Sequence, residues 1–249
     1  MKVKKNVEIF GDSILKGVQI NPKNMRYHVD NNIGVSTIEK KYSIVVRNFS
    51  KFGCTVTKGL ALIEKRLKND DRRCDAIVMN FGGNDCDFNW KAISDCPGAD
   101  HQPNTPLDIF AETYRKIIGL IKEKGIRPVL TTLPPLDAQR FFHWFCGGLN
   151  RENVLEWLGS VESIYRWQEN YSRTVETIAE ETGALLVDLR GAFLKQRKLQ
   201  HLLCLDGTHP NTEGQRVITQ GFLDFIERVR KTLRIQGDAG TLYPVGTQA

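Results

Sequence analysis

Four short segments hold side chains that acyl transfer requires. Gly11-Asp12-Ser13-Ile14 offers a hydroxyl, Gly53-Cys54-Thr55 a conformationally free backbone amide, Gly82-Gly83-Asn84-Asp85 a side-chain amide, and Asp206-Gly207-Thr208-His209 a carboxylate three residues before an imidazole. A serine hydroxyl is a weak nucleophile at neutral pH and needs a base beside it. His209 is the natural base for Ser13, and Asp206 can orient the imidazole and stabilise its protonated form. Asp85 and Asp188 are rival carboxylates for that duty. The tetrahedral intermediate of such a reaction also needs donors aimed at its oxyanion, and the Ser13 N–H, the Gly53 N–H and the Asn84 amide can supply three. Glycine at position 53 permits a backbone conformation closed to other residues. The expected chemistry is ester cleavage through a covalent acyl-enzyme, and Asp12 and Asp85 are expected to brace loops.

Such residues must be brought together by regular structure. Continuous β-branched runs at 7–10, 43–48, 76–81, 128–133 and 184–188 suit parallel strands covered on both faces. Helical patterns separate them. Thr105-Pro106-Leu107-Asp108 reads as an N-cap, a first-turn proline and an early acid, and the helix is expected to stop at Gly125. Thr212-x-x-Gln215 reads as a capping box for a last helix with Ile218, Phe222 and Phe225 on one stripe. The βα alternation with right-handed crossovers predicts a three-layer α/β/α flavodoxin-like sandwich, its five-stranded parallel sheet ordered 2-1-3-4-5. In that order strand one lies between strands two and three, so Ser13 falls between Gly53 and Asn84 at the carboxyl rim. Residues 137–182 are too long for one crossover helix and predict a helical insertion followed by the crossover helix ending at Gly183. Residues 1–235 read as a single domain and 236–249 as a loosely ordered tail.

Taken in order, the segments resemble the blocks of the SGNH hydrolase superfamily, the GDSL-like esterases and lipases. Gly11-Asp12-Ser13 matches the first block, with Ile14 where leucine often stands; Gly53, Gly82-x-Asn84-Asp85 and Asp206-x-x-His209 match the other three. The resemblance implies Ser13 as nucleophile, His209 as base, Asp206 as its orienter, an oxyanion hole of Ser13, Gly53 and Asn84, and no metal or organic cofactor. It does not fix the substrate, because the family spans lipases, thioesterases, carbohydrate acetylesterases and arylesterases. The insertion bears on that question. Its aromatics, Trp144 and Phe145 among them, either stack on substrate or pack the insertion's own small core or a subunit interface. A small acyl, acetyl ester of a carbohydrate or similar alcohol is the favoured substrate. A thioesterase or lysophospholipase, an acyltransferase and a non-catalytic binding module on the same fold are the alternatives.

Composition narrows the class. With 249 residues, 41% hydrophobic and 26% charged, the chain is an ordinary globular domain able to bury a core without disulfides or metal. The +6 net charge is spread among acids, as in Glu64-Lys65-Arg66, so a nucleic-acid face is not expected. The six cysteines form no C-x-x-C pair and read as reduced thiols. No apolar run reaches spanning length and the start shows no signal, so a cytoplasmic protein without membrane partners is expected. The histidines lack metal-ligand spacing, and no G-x-G-x-x-G, P-loop or G-x-S-x-G motif is present. The expected partner is a small-molecule ester, with homo-oligomerisation left open.

Overall fold

The computed structural model describes residues 4–30, 34–69 and 72–238. The chain begins with β1 (Lys5–Gly11), a one-turn helix α1 (Ser13–Lys16) and the strands β2 (Val18–Asn21) and β3 (Arg26–Val29). There follow α2 (Val35–Tyr42), β4 (Ile44–Asn48), α3 (Val56–Asn69), β5 (Ala76–Asn80), α4 (Trp90–Asp95), α5 (Leu107–Glu123) and β6 (Arg127–Thr131). Three helices come next: α6 (Ala138–Phe145), α7 (Arg151–Leu158) and α8 (Glu162–Thr182). The chain then runs through β7 (Leu185–Val187), α9 (Leu189–Leu194) and α10 (Thr212–Asp238).

Five strands pair in parallel in the order β4-β1-β5-β6-β7, as the alternation of elements predicts. Their unbroken apolar runs feed two layers, because successive side chains point to opposite faces. Phe10, Ile77, Met79 and Leu130 pack with Ile63 of α3, Ile117 and Ile121 of α5, and Val175 and Ile178 of α8. Ile9, Val78, Val129 and Val187 face Leu189 and Phe193 of α9 and Ile218 of α10. Glu8 interrupts the apolar run of β1, and its fully buried carboxylate is met by the guanidinium groups of Arg47 and Arg66. The register sets Gly11 beside Asn80 and Ile9 beside Asn48, so the carboxyl ends of β1, β4 and β5 share one rim.

The 137–182 excursion makes a core of its own. Phe142, Val154, Leu158 and Ile164 bury against Trp90 and Ile93 of α4. The crossover helix α8 ends at Gly183 (φ 64°) and α5 just before Gly125 (φ 68°), both left-handed positions where glycine escapes the Cβ penalty.

Local differences from expectation have clear causes. Thr105 does not cap α5: Pro106 holds the cap position with no side-chain bond, while Thr105 is buried and its hydroxyl is turned to Asp85. Thr212 does not cap α10 either. The Asn211 side chain accepts the amides of Glu213 and Gly214, which leaves the Thr212 hydroxyl free to donate to Gln19. Asparagine is the stronger cap of the two. The antiparallel β2–β3 hairpin lies outside the predicted plan, being short and only weakly alternating. Helix α10 is described to Asp238, and most of the 236–249 segment, residues 239–249, lies outside the described residues. No helix of the described chain is long and apolar enough to cross a membrane.

Candidate active site

Ser13 opens helix α1 directly behind β1, with Asp12 as N-cap accepting the Ile14 amide through Oδ1 at 2.8 Å. Amides of a first helical turn have no intrahelical partner, so the Ser13 N–H is available to an incoming oxygen. The loop before α10 returns to this point. There His209 Nε2 lies 2.8 Å from Ser13 Oγ, and His209 Nδ1 lies 2.5 Å from Asp206 Oδ2. The Thr208 and His209 amides both donate to Asp206 Oδ1 at 3.1 Å, which locks the carboxylate in the turn. All three side chains are buried. Burial alone would push the Asp206 carboxyl up, but the hydrogen bond and charge of His209 and the two loop amides outweigh it and hold it below the usual range.

The rival carboxylates are engaged elsewhere. Asp188 caps α9 and accepts the Thr132 hydroxyl, and Asp85 accepts the Val56 amide at the head of α3. Asp85 and Asp12 are thus the braces they were expected to be. Burial pushes Asp12 up to about 7 and Asp85 up to about 6. Burial likewise raises the Cys54 thiol to about 11 and raises Cys86, so neither is a ready thiolate. Asn48 shapes the turn after β4 by donating to Leu15 O and accepting from the Ser50 amide.

Asn84 and Gly53 come to the same rim. Asn84 lines the cleft, its Nδ2 donating to Asp12 Oδ2 at 3.3 Å and to Cys54 O at 3.4 Å. Gly53 sits in a left-handed turn (φ 66°) between Phe52, which lines the cleft, and Cys54; Gly53 itself is not among the lining residues. The cleft holds about 250 Å³ between Ser13, His209 and an aromatic wall that includes Tyr27, Phe52, Trp90 and Trp144. Trp144 thus lines the same cleft as Ser13 and His209. Phe145, on the next position of α6, instead stacks on Trp90 with ring centroids 4.0 Å apart, within the excursion's own core.

Two neighbours of the imidazole escaped the sequence reading. Phe52 stacks parallel to the His209 ring at 5.9 Å, and Tyr27 meets it edge-on at 5.2 Å. Only adjacency to Gly53 hinted at the first; the second depends on a hairpin that was not predicted. Among the described residues, no group of three or more His, Cys, Asp or Glu is placed to hold a metal ion. Chemically, the arrangement can deprotonate a hydroxyl, stabilise the resulting imidazolium and offer donors to an oxyanion.

Comparison with known proteins agrees with this geometry. The sequence profile of the GDSL-like Lipase/Acylhydrolase family matches residues 9–217. The GDSL esterase/lipase CPRD49 of Arabidopsis thaliana is 21% identical over 192 residues, covering 76% of this chain and 68% of its own. An acetylxylan esterase of Geobacillus stearothermophilus is 34% identical over 64 residues, 25% of this chain and 29% of its own. Among solved structures, a lipase/acylhydrolase from Enterococcus faecalis superposes with a TM-score of 0.62 at 19% identity, covering 89% of this chain and 95% of the other. A catalytic mutant of the Geobacillus stearothermophilus acetylxylan esterase Axe2 gives 0.62 at 22% identity, covering 91% and 96%. At such identities the structural likeness speaks for the fold.

Proposed function

The chain belongs to the GDSL-like lipase/acylhydrolase family, a family of esterases and acylhydrolases, and we propose that it is a serine esterase cleaving a small acyl, acetyl ester of a carbohydrate or similar alcohol. The observation that carries the mechanism is the unbroken chain from Ser13 Oγ through the imidazole to Asp206, at 2.8 and 2.5 Å. Ser13 attacks the ester carbonyl as His209 Nε2 takes its proton. The carbonyl oxygen becomes an oxyanion met by the Ser13 N–H, the Gly53 N–H and the Asn84 amide. His209 then gives the proton to the departing alcohol, leaving an acyl-serine. A water deprotonated by His209 attacks that ester, and the intermediate collapses as the imidazolium returns the proton to Ser13 Oγ, releasing the carboxylic acid.

The substrate class rests on two supports. A cleft of about 250 Å³ suits a small acyl group, and exposed rings such as Phe52 offer flat apolar faces to a sugar or aryl ring. Acetylxylan esterases also recur among the similar proteins. In this reading Trp144 contacts the alcohol portion of the substrate.

Aryl esters of rising chain length, set beside acetylated sugars, test the assignment. The expected result is acetate release from both acetyl classes, with rates falling as the acyl chain lengthens. A preference for octanoyl or thioester substrates would move the protein to the thioesterase or lysophospholipase class. Ser13→Ala should abolish turnover while circular dichroism and melting temperature stay near those of the parent. Undiminished turnover by the purified variant would overturn the nucleophile.

A further inference from the structure

The Asp206 carboxylate has a partner that the Ser-His-Asp chain does not require. The Tyr27 hydroxyl donates to Asp206 Oδ2 at 3.3 Å, the same oxygen that lies 2.5 Å from His209 Nδ1. Tyr27 sits on β3, the outer strand of the β2–β3 hairpin that follows α1. Its oxygen also takes a hydrogen bond from the Trp144 side chain on α6. Burial and the neighbouring Asp206 charge push the Tyr27 phenol up to about 12, so it stays a neutral donor throughout the working range. The ring, with that of Phe52, encloses the imidazole on two sides.

We infer that Tyr27 is a positioning residue for the general base, its hydroxyl sharing the charge of Asp206 Oδ2 and its ring confining the imidazole of His209. The inference rests on the esterase reading and deepens it. Oδ2 divides its negative charge between two donors, so it stabilises the imidazolium less than it would with one. The tyrosine thereby sets how strongly Asp206 holds the protonated base, the quantity that the acid limb of a rate profile reports. The other groups facing this pair are few. Asp12 stands on the Ser13 side and interacts with the His209 charge, and Cys204 lies in the same loop as Asp206. Thr208 Oγ1 is 3.2 Å from His209 Nδ1. Asp137 and Arg140, at the head of α6 against Gly207, pair with each other.

Tyr27→Phe isolates the hydroxyl while keeping the ring. In the pH profile of kcat/KM for an aryl acetate, the acid limb of the variant should move to higher pH by about half a unit, the size expected for losing one long hydrogen bond to a charged group. Its alkaline plateau should fall by less than about tenfold, since the three reacting side chains remain. A second reading needs no turnover: the low-field proton resonance on His209 Nδ1 should move further downfield as the Asp206–His209 bond strengthens. An unmoved acid limb with an unmoved Nδ1 proton would overturn the inference, even where the rate falls, because a purely structural tyrosine lowers rate without shifting either. That result leaves the esterase reading standing, whereas full turnover by Ser13→Ala defeats the esterase reading itself.

Discussion

Asp12 spends its two oxygens on different tasks. Oδ1 holds the Ile14 amide and so fixes the turn that presents Ser13, while Oδ2 receives the Asn84 amide. One buried carboxyl thereby sets the spacing between nucleophile and side-chain donor. Donors aimed at developing charge act chiefly in the transition state, so removing one lowers kcat and leaves KM nearly unchanged. Asn84→Ala is accordingly expected to lose about 10²–10³ in kcat on an aryl acetate, measured by steady-state kinetics. A loss confined to KM would show that Asn84 binds the ground state instead. These residues were readable in the sequence because their types are scarce and their chemistry specific: a hydroxyl and an amide each follow a strand, and an Asp/His pair lies beyond the last one. The partners that tune them were not readable. Tyr27 and Phe52 are ordinary aromatics until the chain is folded and their rings flank His209.

Elements turn these residue types into a site through a few backbone contacts. The Asp206–His209 loop is clasped to the head of α6 by the Asp137 amide donating to Gly207 O at 2.8 Å. Gly207 has a φ of 73°, and a Cβ there would lie 2.6 Å from Asp137 O, too close for any side chain. Gly207→Ala must therefore push the loop from the helix. Strain and overpacking of this kind cost about 1–3 kcal/mol, and displacement of about 1 Å between Asp206 and His209 should cost on the order of 10² in kcat. Gly125→Ala is the control. It also sits at positive φ, 68°, but its Cβ would meet nothing, so it should lower the melting temperature while leaving kcat intact. Equal effects of the two on kcat would refute the clasp. Strand order and the two glycine stops were legible, since β-branched runs, right-handed crossovers and positive φ follow from local chemistry. The helix N-termini were not: Thr105 and Thr212 look like caps in sequence, yet buried Asp85 claims one and Asn211 displaces the other. Competition between neighbours for the same amide is decided in three dimensions.

At the scale of the whole molecule, the cleft loops carry three carboxyls, Asp12 and Asp85 buried and Asp87 half-buried, whose ionisation works against the fold. Burial raises Asp12 to about 7, Asp85 to about 6 and Asp87 to about 6. An unfolded carboxyl titrates near 4, so between about pH 4 and 7 the native state holds more protons than the unfolded chain, and stability must fall as pH rises. Asp206 has the opposite sign. Its lowered folded value makes a contribution that is present above about pH 4 and is lost only as pH falls through that lower value. Stability should thus peak on the acid side of neutrality, whereas turnover needs the imidazole of His209 as a free base. Asp87 separates the effects, because it accepts the Trp90 indole through Oδ1 at 2.7 Å and takes no part in the Ser13–His209–Asp206 chain. Asp87→Asn keeps an acceptor there and removes the charge. Denaturant melts at pH 4.5 and 7.5 should show the variant gaining on the parent as pH rises, by on the order of 2 kcal/mol across the interval. An unchanged difference would mean that Asp87 ionises without penalty and that water reaches it. The molecule would then hold its catalytic rim far more openly than the burial of Ser13, Asp206 and His209 indicates.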